Sequence, residues 1–164
     1  MKTTTVAVLG GDVRMDYAAC TLRKLGYTVL EWGRAGVGED ANAALFAILQ
    51  EADVWMLPLP ATEDGVHLTL RVKGFEPIRL ETLLRMASGK RIFGGKLPPA
   101  FCESAEREGI SVCDYFESES LQYRNALPIH RDKLHYPLIL TFYLRQLKPK
   151  DDPKLVLEAE GLKP

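Results

Sequence analysis

The 164 residues carry 21 Lys and Arg against 22 Asp and Glu, a net charge of −1, with 46% hydrophobic residues. That length suits one domain with a substantial core, and the composition is that of a globular protein. The near-neutral charge and the lack of a basic run argue against nucleic acid as the main partner. The opening Met-Lys-Thr-Thr-Thr lacks the apolar stretch of a signal peptide, and the longest apolar run, Tyr136 to Leu144, is too short to span a bilayer. A cytoplasmic location is therefore expected. The cysteines, Cys20, Cys102 and Cys113, are scattered and odd in number, and read as buried thiols of a reducing compartment.

Strand and helix patterns alternate along the chain. Thr4 to Leu9 reads as a buried strand, and Val13 to Leu25 carries a helical apolar stripe closed by Gly26. Tyr27 to Trp32 is β-rich. A glycine-rich turn then leads to Asp40, a suitable N-cap for a helix over Ala41 to Ala52. Asp53 to Leu57 is a third strand, ended by Pro58 and Pro60. Val66 to Val72 alternates at period two, which predicts an extended flap or hairpin arm.

Pro77 is placed to open a short helix that stops at Ser88-Gly89. Lys90 to Phe93 makes a fourth strand, Pro98 and Pro99 start a helix through Glu108, and Ile110 to Asp114 makes a fifth strand. Short units in this rhythm predict a flavodoxin-like, Rossmann-like α/β sandwich. Its sheet is mostly parallel in order 2-1-3-4-5, with helices on both faces and ligands at the carboxyl ends of the strands. Further helices are expected over Ser118 to Asn125 and Asp132 to Leu147, the latter burying its apolar face in a homodimer, followed by a linker and tail over 148–164.

The first turn departs from a dinucleotide fingerprint. Asp12 and Met15 stand where G-x-G-x-x-G needs small residues, and an acid at the helix mouth repels a pyrophosphate. Asp12 and Arg14 form either an oriented pair that offers a guanidinium to a ligand carboxylate or a plain helix cap beside a surface arginine. Gly94-Gly95-Lys96 makes either an anion cradle of backbone N–H groups or an ordinary turn. His67, His130 and His135 lack a metal-site spacing, and neither a P-loop nor a nucleophile elbow is present.

Val6 to Arg14 (VAVLGGDVR), Leu57 to Thr62 (LPLPAT) with Gly65, Gly94-Gly95, Asp114 to Glu117 (DYFE) and Asn125 to Pro128 (NALP) together resemble the N-terminal domain of the dipicolinate synthase A subunit. The similarity runs from about residue 4 to 128, and residues 129–147 diverge from the family. The resemblance implies a role in oxidising a dihydrodipicolinate-type precursor to dipicolinate during sporulation, with the dipicolinate synthase B subunit as partner. It also implies NAD(P) held by a following Rossmann domain; that cofactor is expected from a separate component and none from these residues. A small dicarboxylate substrate would then meet Gly10, Gly11, Asp12, Arg14, Thr62, Gly94, Gly95 and Asn125. The alternative is a non-enzymatic module binding a small carboxylate or a protein.

Overall fold

A computed structural model describes residues 4–33 and 41–117, the first three of the second segment by their backbone alone. The chain divides into two units, 1–114 and 115–164. Within the first, the elements run β1 (Thr5–Leu9), α1 (Val13–Lys24), β2 (Thr28–Trp32), α2 (Ala41–Glu51), β3 (Val54–Met56), α3 (Leu80–Arg85), β4 (Arg91–Gly94), α4 (Pro99–Arg107) and β5 (Ser111–Asp114). The described part of the second unit is a single 3₁₀ turn, Tyr115–Glu117. The helices expected over 118–125 and 132–147, the Asp40 cap, His130, His135 and Asn125 lie outside the described residues.

The five strands pair in the order β2-β1-β3-β4-β5, all parallel, as the alternation predicts. Registers such as Ala7 to Leu30 and Trp55 to Ile92 align the strands so that their carboxyl ends form one rim. Parallel strands need crossovers, and right-handed crossovers in this order put α1 on one face and α2, α3 and α4 on the other. The packing agrees. Ala7, Leu9, Trp55, Leu57 and Ile92 share a buried cluster with Leu45 and Leu49 of α2, Leu80, Leu83 and Leu84 of α3, and Phe101 and Ala105 of α4. Pleat alternation turns Val6 and Val8 the other way, to the side where α1 buries Met15, Ala18, Ala19 and Leu22.

Local chemistry sets the helix ends. Gly26 has φ of 86°, its N–H donates to Arg23 O, and Tyr27 N–H donates to Leu22 O, which closes α1 in a Schellman turn. The Gly109 turn after α4 repeats the pattern, with Gly109 N–H to Glu106 O and Ile110 N–H to Ala105 O. Past the end of α2, Lys90 Nζ reaches the Gln50 and Ala52 carbonyls, each at 2.7 Å.

Two expectations need correction. The third helix does not open at Pro77; it starts at Leu80, with Arg79 extended as its N-cap. The arm claims the preceding residues: Leu68 N–H donates to Ile78 O, Leu80 N–H to Val66 O, and His67 faces Arg79 in an antiparallel bridge. Tertiary pairing has overridden the helix-start signal of a proline. The cysteines are not buried either. Cys20 is exposed on α1, while Cys102 and Cys113 are half-buried.

Candidate functional site at the strand ends

The carboxyl rim is stitched together by the arm. After β3 the chain passes through Pro58, Leu59 and a cis Pro60 before running out through Thr62 to Gly65 and back along Val66 to Val72. Ala61 N–H donates to Gly95 O, Thr69 N–H to Ala61 O, and Gly11 N–H to Thr69 O. One excursion thus links the loops that follow β1, β3 and β4. Its inward residues, Leu68 and Leu70, pack onto the core, as the period-two pattern requires.

Gly10 and Gly11 serve this junction. Gly10 N–H donates to Trp32 O, and Gly11 N–H is bound to Thr69 O. A Cβ on Gly10 would lie 2.5 Å from Thr69 O, and one on Gly33 would lie 2.7 Å from Leu70 Cδ2. The glycines form a notch in which the arm's backbone lies. The Gly10 and Gly11 N–H groups are thus taken up by the chain itself, and the Asp12 carboxylate at the mouth of α1 opposes an anion there.

Asp12 and Arg14 are brought together, the carboxylate serving as helix cap and as partner of the guanidinium. Asp12 caps α1 by accepting Arg14 N–H at 3.0 Å. The Arg14 guanidinium donates to the same carboxylate through Nε at 2.9 Å and Nη2 at 2.8 Å, and Nη2 also reaches Leu59 O at 2.5 Å. Burial pulls the Asp12 carboxyl upward. The hydrogen bonds from Arg14 and the nearby Arg14 and Arg71 charges outweigh it, so the acid sits below its ordinary value. The two side chains remain 33% and 29% exposed, which leaves an oriented guanidinium on the rim.

The Gly94-Gly95-Lys96 turn does form an anion-accepting nest, and a carboxylate of the chain itself occupies it. Lys96 N–H and Leu97 N–H donate to Asp114 at 3.1 and 2.7 Å, while Gly95 N–H goes to Pro58 O at 3.2 Å. Lys96 adopts φ of 54°, the left-handed geometry such a nest needs, and a Cβ on Gly94 would press Leu97 at 2.8 Å. An external anion at this turn would have to displace Asp114.

Thr62 is drawn outward, its hydroxyl donating to Asp64 Oδ1 at 3.0 Å. Residues not singled out from sequence also stand on the rim. Arg71 pairs with Glu63, and His67 Nδ1 meets Asp64 Oδ2 at 2.7 Å. Asp64-Gly65 is a recognisable turn signal, and the partners of its carboxylate, Thr62, Val66 and His67, all lie within three residues of it. Among the described residues, no group of three or more His, Cys, Asp or Glu side chains is placed to hold a metal ion.

The family of dipicolinate synthase A-subunit N-terminal domains matches residues 5–116. No curated protein matches the sequence. Two solved structures share the fold. The A chain of dipicolinate synthase from Bacillus subtilis has a TM-score of 0.57 at 17% identity, over 93% of this chain and 50% of that one. The dipicolinate synthase A subunit from Bacillus halodurans gives 0.56 at 13% identity, over 93% and 51%. The chain thus spans about half the length of either. With residues 5–116 of 164 matched and the same parallel sheet observed, the chain belongs to the family of dipicolinate synthase A-subunit N-terminal domains.

Proposed function

We propose that this domain forms the substrate-binding wall of a system like the dipicolinate synthase A subunit, gripping a ring dicarboxylate related to dipicolinate. The carrying observation is the Arg14 guanidinium, fixed by Asp12 and the Leu59 carbonyl on the carboxyl rim of a sheet of this family. A preoriented guanidinium gives up little side-chain freedom when it meets a carboxylate, and its charge strengthens the contact. Arg71, whose charge already reaches Asp12, adds positive potential on the same side.

In this reading Gly10, Gly11, Gly94 and Gly95 shape the rim by letting backbones approach, and Thr62 supplies a neutral hydrogen bond. Asp12 orients Arg14. Oxidation of the precursor needs a nicotinamide-binding component, NAD(P) in its own fold, since the Asp12 carboxylate at the mouth of the first helix opposes a pyrophosphate. The role in sporulation, the dipicolinate synthase B subunit as partner, the homodimer and the cytoplasmic setting belong to the same proposal. Isothermal titration with pyridine-2,6-dicarboxylate tests it: saturable binding supports the substrate wall, and the absence of heat with this and related dicarboxylates refutes it.

A further inference from the structure

Asp64 and His67 form a second arrangement on the arm, built with more hydrogen bonds than a surface turn requires. Asp64 Oδ1 accepts the N–H groups of Val66 at 2.8 Å and His67 at 2.7 Å, and the Thr62 hydroxyl at 3.0 Å. Its other oxygen, Oδ2, meets His67 Nδ1 at 2.7 Å. These bonds, the His67 N–H foremost, hold the Asp64 carboxyl well below the usual carboxylate range, so it is ionised and only accepts. The neutral imidazole therefore carries its proton on Nδ1, and Nε2 is left with a lone pair. The ring itself is 39% exposed.

This histidine lines an open cleft of about 400 Å³ whose walls all come from one excursion of the chain, Glu63 to Pro77. Leu70, Val72, Phe75 and Pro77 give it apolar walls, and Phe75 is held edge-on against Trp32 with ring centroids 5.4 Å apart. Thr69 also lines the cleft. It is 7% exposed, and its hydroxyl has no hydrogen-bond partner among the described residues. That oxygen is itself buried, so Thr69 contributes wall to the cleft and not an exposed polar group. The charged groups facing His67 are Asp64 itself, Glu63 paired with Arg71, and Arg79 across the antiparallel bridge.

We propose that the cleft is a proton-transfer site in which His67 Nε2 takes the proton of a hydroxyl or ring N–H on the bound ring acid. The ligand's O–H or N–H bond breaks, its electron pair stays on the oxygen or nitrogen, and a new N–H bond forms at Nε2. Asp64 then faces an imidazolium and stabilises it, and no oxidant or reductant enters the step. An aspartate fixing the tautomer of a histidine whose far nitrogen meets the ligand is a recurrent general-base geometry. This assignment rests on the dicarboxylate-wall reading and names the base within it.

The test uses the full chain and two probes that differ by one hydroxyl, pyridine-2,6-dicarboxylate and 4-hydroxypyridine-2,6-dicarboxylate. The hydroxylated probe should bind roughly tenfold tighter, the worth of one good hydrogen bond. His67→Asn should reduce that preference to within about twofold, and Asp64→Asn should weaken the preference too. Nitrogen-15 spectra of the free protein should show the neutral His67 ring protonated at Nδ1. A preference that survives His67→Asn, or a neutral ring protonated at Nε2, overturns the proposal. Binding of both probes with equal affinity overturns it alone, whereas binding of neither overturns the dicarboxylate wall as well.

Discussion

Asp114, the last residue of β5, closes the turn after β4 by accepting the Lys96 N–H at 3.1 Å, and its second oxygen takes the Leu97 N–H at 2.7 Å. The contact lets Lys96 hold its left-handed backbone, at φ of 54°, although a side chain is present. Asp114→Ala leaves both N–H groups unmatched and should lower stability by about 1–2 kcal/mol in denaturant unfolding. A change within experimental error would show that water serves the nest equally well.

Asp12 gives the fold an acid-sensitive point. Its carboxyl titrates below its ordinary value of 3.8, so the contribution is fully present above that pH and is lost as pH falls through the lower folded value. Unfolding free energies of the wild type and Asp12→Asn should differ by a constant amount above about pH 5 and converge in acid. The near-neutral difference should be about 1 kcal/mol, set by the cap and the Arg14 pair. A difference independent of pH down to pH 2 or so would refute the assigned direction.

The notch at Gly10 makes a steric prediction. Gly10→Ala places a Cβ against Thr69 O and should cost at least about 2 kcal/mol while speeding hydrogen exchange at the Gly11 amide, which bonds that carbonyl. Gly26→Ala is the control. Gly26 also has positive φ, but a Cβ there meets nothing, so only the backbone cost of about 1 kcal/mol should appear, with Gly11 exchange unchanged. Equal effects from the two substitutions would remove the argument that the arm is seated by this glycine.

Lys90 ties the C-terminal end of α2 to the start of β4. Lys90→Met keeps the aliphatic stem but removes the ammonium from two carbonyls, and should destabilise by about 1 kcal/mol. Arginine at this position should recover part of the loss, which urea titration would reveal.

Much of the frame was legible because local signals agreed with one another. Buried strands, amphipathic helices and the glycine after α1 all pointed to the parallel order that is observed. Asp12 and Arg14 were readable as a pair because two residues at a helix start are neighbours whatever the rest of the chain does. What escaped depends on segments distant in sequence. Pro77 looked like a helix start until the arm paired with Ile78 and Leu80, and the Lys96 turn looked open until Asp114, 18 residues on, filled it. The Asp64–His67 pair, by contrast, is local at a spacing of three residues, and a scan for metal spacing passes over it.

The central claim is that a fixed guanidinium on this rim binds a ring dicarboxylate, and isothermal titration of pyridine-2,6-dicarboxylate into wild type and Arg14→Lys tests it most directly. A saturable heat in the wild type, weakened at least about tenfold by a lysine that cannot reproduce the planar fork, is the predicted result. No heat in the wild type, or equal affinity in both proteins, would contradict it.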